Sequence, residues 1–144
     1  VVCAYLAIKN LDDRQFKKAV LVLTTGMNIF LFISFIWPTG LNLREGIVYD
    51  LHTLSGNLLK FVQTVDTPKS VFPSMHVYVT LVLQYTLEMQ KKLVPSWGIW
   101  VGRVLAVLIV LSTMFTKQHS VLDVSAAIVM FAVLVVVVEK IVKK

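Results

Sequence analysis

Residues 121–138 read VLDVSAAIVMFAVLVVVV, with a single charge, Asp123, near the start. The run 132–138 is apolar on every side, which suits a lipid surround better than an element with one wet face. A membrane-crossing helix needs about 20 mostly apolar residues. Working outward, three more stretches qualify. Segment 19–37 carries no charge. Segment 72–87 has Ser74, His76 and Gln84 as its strongly polar members. Segment 94–115 carries Arg103. The expected fold is all-α: a polytopic transmembrane helix bundle with four spans, forming one membrane-embedded domain over 1–144.

Composition points the same way. The chain is 57% hydrophobic and 15% charged, and its mean hydropathy is +0.78. Soluble domains are about half apolar and a quarter charged. The net charge of +6 does not imply nucleic acid, because the basic residues lie between apolar runs. The lone cysteine, Cys3, forms no internal disulfide and no metal cluster, and reads as a small apolar filler. The opening Val1-Val2-Cys3 lacks a methionine and reads as the tail of a helix cut away upstream.

Four successive spans place 9–18, 91–96 and the end of the chain on one side. They place the connector 41–70 and the turn 116–120 on the other. Lysines and arginines divide nine to four between these sides, with Arg103 unassigned. The positive-inside rule makes the first side cytoplasmic, so the connector and the turn face outward. Within the connector, Val48, Leu51, Leu54, Leu58 and Val62 recur at helical steps, with Asp50, Asn57 and Lys60 off the stripe. That spacing predicts either a helix lying on the outer leaflet or a packed lid. Thr24-Thr25-Gly26 is expected to let helices approach closely. Trp37, Trp97 and Trp100 suit interfacial anchoring. Arg103 is expected to snorkel, and His52 to be solvated.

Ionisable residues inside spans are costly and usually face a cavity or a partner. Here His76, His119 and Asp123 converge on the outward side. His119 and Asp123 are four apart and share one helix face. A carboxylate there can accept a hydrogen bond from one imidazole nitrogen and leave the other to attack. A second histidine can protonate a leaving alkoxide. The same three residues also suit a proton relay, although a relay would spread them over several depths.

Phe72-Pro73-Ser74-Met75-His76 resembles the Pro-Ser-x-His signature of the type 2 phosphatidic acid phosphatase superfamily. Ser112, His119 and Asp123 match the spacing of that family's Ser-Arg-x-x-x-x-x-His-x-x-x-Asp motif. The resemblance covers the chain from about residue 19 and implies that the four spans are the last four of six. It implies that His119 attacks phosphorus, Asp123 holds its imidazole, and His76 protonates the leaving group. Ser74, Ser112 and Arg44 would bind the phosphate, with Lys69 and Lys117 as this sequence's own candidates for further phosphate contacts. It implies no metal and no cofactor. The substrate it implies is a lipid phosphate, and the location a bacterial cell membrane with the site outward.

The chain also departs from the family pattern. Position 113 is threonine where the family has arginine, Arg44 is followed by Glu45 instead of proline, and position 37 is tryptophan where a lysine is expected. Arginine is the best bidentate phosphate clamp. Its absence favours a less charged substrate, such as a diester in a headgroup transferase, or a silent lipid-phosphate binder. The three retained acid–base residues favour an enzyme that hydrolyses or transfers the phosphate. The oligomeric state is left open.

Overall fold

The structure is a computed structural model that describes residues 11–37, 50, 52–65, 72–116 and 118–142. Expectations at Cys3, Arg44, Glu45, Val48, Leu51, Lys69 and Lys117 fall outside the described residues. Five helices follow one another: α1 (Asp13–Ile36), α2 (Leu54–Val65), α3 (Met75–Met89), α4 (Ser96–Phe115) and α5 (Val121–Val142). Three of them, α1, α4 and α5, are long and apolar enough to cross a membrane. No more than 28% of the apolar stretch of any of the three is buried. Most of that apolar surface therefore faces outward, the reverse of a soluble fold and the pattern that lipid requires.

The first span begins earlier than its apolar run. The segment 9–18 was expected to be a connector, yet Asp13 to Lys18 form the first turns of α1. Gln15 explains the early start: its side chain accepts from the Asp12 N–H at 3.3 Å, in the manner of a capping box. The same side chain donates to the Met89 carbonyl at 3.0 Å and ties the start of α1 to the end of α3.

Helix α3 is the hub. It packs against α1, α4 and α5, and α1 also packs against α5. At 15 residues it is the shortest of the four, about 22 Å long at 1.5 Å per residue. Val77, Tyr78 and Val82 of α3 join Val22 of α1 and Val124, Ala127, Leu134 and Val138 of α5 in the core. Gly26 is the close approach that the sequence suggests: a Cβ there would run into the ring of Tyr78. The Tyr78 hydroxyl donates to the Val22 carbonyl at 2.5 Å. Thr24 and Thr25 point away, exposed.

The two ends of the bundle differ. At the basic end, Lys18 of α1 pairs with Glu139 of α5 at 2.5 Å, and the Tyr85 hydroxyl of α3 donates to the same carboxylate at 2.7 Å. Arg103 pairs with Glu88 at 2.7 Å and lies over Trp100, 4.9 Å from the ring centre. Glu139 holds three helices, so Glu139→Ala leaves Lys18 without its counter-charge. With Lys18 only 14% exposed, the variant is expected to lose roughly 2 kcal/mol of stability. A thermal scan in detergent checks this, and Lys18→Met combined with Glu139→Leu is expected to recover most of the loss.

The opposite end carries both site histidines and α2. The buried Gln63 of α2 donates to the Thr116 carbonyl at the end of α4, at 2.8 Å. Of the expected apolar stripe, Leu54 and Leu58 are exposed and Val62 is half-buried, and Phe61 beside it is exposed.

Candidate active site

Two helix starts define the site. Ser74 precedes α3, and its Oγ accepts from the Val77 N–H at 3.4 Å. The Ser74 N–H donates to the Asp123 carbonyl in the first turn of α5, at 3.1 Å. Tyr85 meets Glu139 at the other end of the same helices, so α3 and α5 run parallel with their N-termini side by side. Orphan N–H groups and aligned dipoles make such a pair of ends favourable for an anion.

His119 is delivered by the turn between α4 and α5. The Thr113 carbonyl accepts from both the Gln118 N–H, at 3.0 Å, and the His119 N–H, at 3.2 Å. Thr116 returns its N–H to the Ser112 carbonyl at 2.9 Å. These bonds close α4 and turn His119 inward, where it is 8% exposed. Its Nε2 lies 3.5 Å from Nδ1 of His76, with the ring centres 5.7 Å apart. His76, in the first turn of α3, is exposed. The buried ring therefore faces an accessible one.

Asp123 stands behind His119, with its Oδ2 4.0 Å from Nδ1. That exceeds hydrogen-bond reach. The same oxygen accepts from the Ser120 N–H at 2.7 Å and the Ser120 hydroxyl at 2.8 Å. The Asp123 N–H donates back to Ser120 Oγ at 3.3 Å. Asp123 thus caps the start of α5 as well as facing His119.

The structure brings His76, His119, Asp123 and Ser74 together. Ser74 is fully buried. Its oxygen serves Val77, and its hydroxyl proton is left to donate. Ser112 is set apart: it is exposed, and its hydroxyl donates to the Ile109 carbonyl within α4. Thr113, one position on, is the buried neighbour of the pair, and its hydroxyl donates to the Val110 carbonyl. Ser120 and Gln63 belong to the site's support and were missed. The Ser-x-x-Asp pattern ahead of an apolar run is a capping signal and pointed to Ser120. Nothing in the sequence marked Gln63. Comparison with family models, curated proteins and solved structures finds no match to this chain.

Proposed function

We propose that this chain is a membrane phosphoesterase that hydrolyses or transfers the phosphate of a lipid phosphate through a phosphohistidine at His119. The approach of His119 Nε2 to His76 Nδ1 at 3.5 Å, with Asp123 behind and two helix N-termini alongside, carries this reading. The resemblance of the Pro-Ser-x-His and Ser-x₆-His-x₃-Asp segments supports it. In this reading α3 is the fourth span, the last four of six cross a bacterial membrane, and α2 lies on the outer leaflet beside the site.

The chemistry follows from these groups. The Nε2 lone pair of His119 attacks phosphorus, and an N–P bond forms as the P–O bond to the lipid alcohol breaks. Protonated His76 gives its proton to the departing alkoxide. Asp123, on closing from its 4.0 Å separation, accepts from Nδ1–H and offsets the charge that develops on the ring. Water, or a second alcohol, then attacks phosphorus and passes its proton to His76, and the N–P bond breaks. Transfer in line between the two rings needs roughly 6 Å or more, from an attack distance of about 3 Å, the breaking bond and a hydrogen bond. The rings must therefore separate when substrate enters, and His76, exposed at the rim, is the one free to move. Phosphoryl transfer asks mainly for such positioning.

The test is phosphate release by the protein in detergent, with EDTA present, from phosphatidate, phosphatidylglycerophosphate and undecaprenyl diphosphate. The expected result is release from at least one of them, through an acid-labile, base-stable phosphoenzyme. Release seen only when EDTA is left out would contradict the metal-independent scheme. No release from all three would move the reading first to a phosphodiester headgroup transferase, then to a silent lipid-phosphate binder. Thr113 favours this last reading, since the position carries no cation and its hydroxyl is engaged within α4.

A further inference from the structure

Asp123 Oδ2 already accepts two hydrogen bonds, both from Ser120, at 2.7 and 2.8 Å. The same oxygen is the atom nearest His119 Nδ1, and it sits 4.0 Å away. One oxygen has two clients, the start of α5 and the imidazole, and in this arrangement the helix start holds it. Ser120 follows His119 directly in the chain, so a small movement of the turn changes both distances together.

We infer that Ser120 is a positioning residue that sets how strongly Asp123 acts on His119. This rests on the proposed role of His119. The Ser120 hydroxyl donates to the carboxylate, spreads its charge and anchors it as the helix cap. While that bond stands, Asp123 stabilises the imidazolium only across a gap. When the hydroxyl lets go, the carboxylate can close about 1 Å and accept from Nδ1–H, since such bonds form at about 3 Å. Ser120 thereby denies the His119 imidazole the direct carboxylate partner that would make the ring more basic. Among the described residues, titratable groups facing His119 include His76 from α3 and Asp123 from α5.

The consequence is a shift with a defined sign. Removing the hydroxyl lets Asp123 pair directly with His119, and an opposite charge at contact favours the protonated ring. The His119 midpoint should rise in Ser120→Ala by about one unit, a tenfold change in proton affinity. Ser120→Thr keeps a hydroxyl and should match the wild type. Ser120→Gly is better tolerated than alanine at a helix cap. It keeps the N–H, removes the hydroxyl, and should rise like the alanine variant if alanine destabilises the fold.

The experiment is a histidine-resolved NMR titration of the full chain in detergent micelles. There are three histidines, so single His→Gln variants assign the signals. A raised midpoint in Ser120→Ala or Ser120→Gly, with Ser120→Thr at the wild-type value, supports the inference. An unmoved or lowered midpoint overturns it, and so does a rise shared by Ser120→Thr. Phosphatidate turnover on the same samples separates the two readings. Where the wild type turns over, the acid limb of kcat should move up with the midpoint while KM stays. Where it does not, the hydrolase reading fails on that arm and the titration alone decides on Ser120.

Discussion

His119→Ala is expected to abolish phosphate release, by at least about a thousand-fold, while the thermal midpoint stays close to wild type. The drop is large because the covalent bond to phosphorus forms on this ring; removing the nucleophile from comparable sites costs as much as removing the whole catalytic set. Stability should hold because the main chain of His119, not its ring, closes the turn, through its N–H to Thr113. The ring faces the exposed His76 rather than a packed helix seam. His76→Ala should act more mildly, about a hundred- to ten-thousand-fold, the range for losing a general acid. Phosphate release and a melting curve on the same preparation settle the matter. A His119→Ala protein that no longer accumulates in the membrane would make the residue structural. One that keeps full turnover would remove the phosphohistidine scheme.

Gly26→Leu is expected to be the most damaging single change to the fold. A Cβ at this position already meets the ring of Tyr78, and Tyr78 is fully buried at the hub of the bundle. A leucine must push α1 and α3 apart. The separation also breaks the bond from the Tyr78 hydroxyl to the Val22 carbonyl. Overpacking of this kind costs about 1–3 kcal/mol, and a lost interhelical hydrogen bond in a membrane adds about 0.6 kcal/mol. Thermal stability in detergent is the readout. Gly26→Ala with Tyr78→Ala should be more stable than Gly26→Ala with Tyr78 intact, because the second change makes room for the first. If the pair is no better, the Gly26–Tyr78 contact is not what joins the helices.

The apolar runs made the helices legible, because lipid-facing segments announce themselves by length and composition. The boundaries were less so. The start of α1 depends on Gln15 bonding back to the Asp12 N–H, a local polar effect inside a charged stretch that reads as a connector. His76 and His119 stand 43 positions apart, yet assigning loops to sides placed them together, and the parallel pairing of α3 with α5 does so in the fold. The i,i+4 spacing of His119 and Asp123 put both on one face but overstated their contact, because Ser120 competes for the same oxygen. The resemblance to the family motif also chose Ser112 as a phosphate contact. The helix rotates about 100° per residue, and that one step sets Ser112 outward and Thr113 inward. Gln63 reaches its partner across 53 positions, a contact that only the folded chain reveals.

The brevity of α3 has a consequence for the bilayer itself. Level with the Gly26–Tyr78 contact, α1 still has ten residues to run to Ile36 and α3 has three to Met75, so α1 stands about 10 Å taller at that end. Leu31, Phe32, Phe35 and Ile36 are exposed along this extra height. In the proposed orientation the histidines lie at the foot of an oily post, well beneath the headgroup plane that α1 defines. A lipid phosphate reaches them only where the outer leaflet dips, a dimple whose depth reflects hydrophobic mismatch between neighbouring helices. Reconstituted activity should therefore track membrane thickness, rising in short-chain vesicles and falling in long-chain ones, with the stiffness of the surrounding lipid acting as a second substrate.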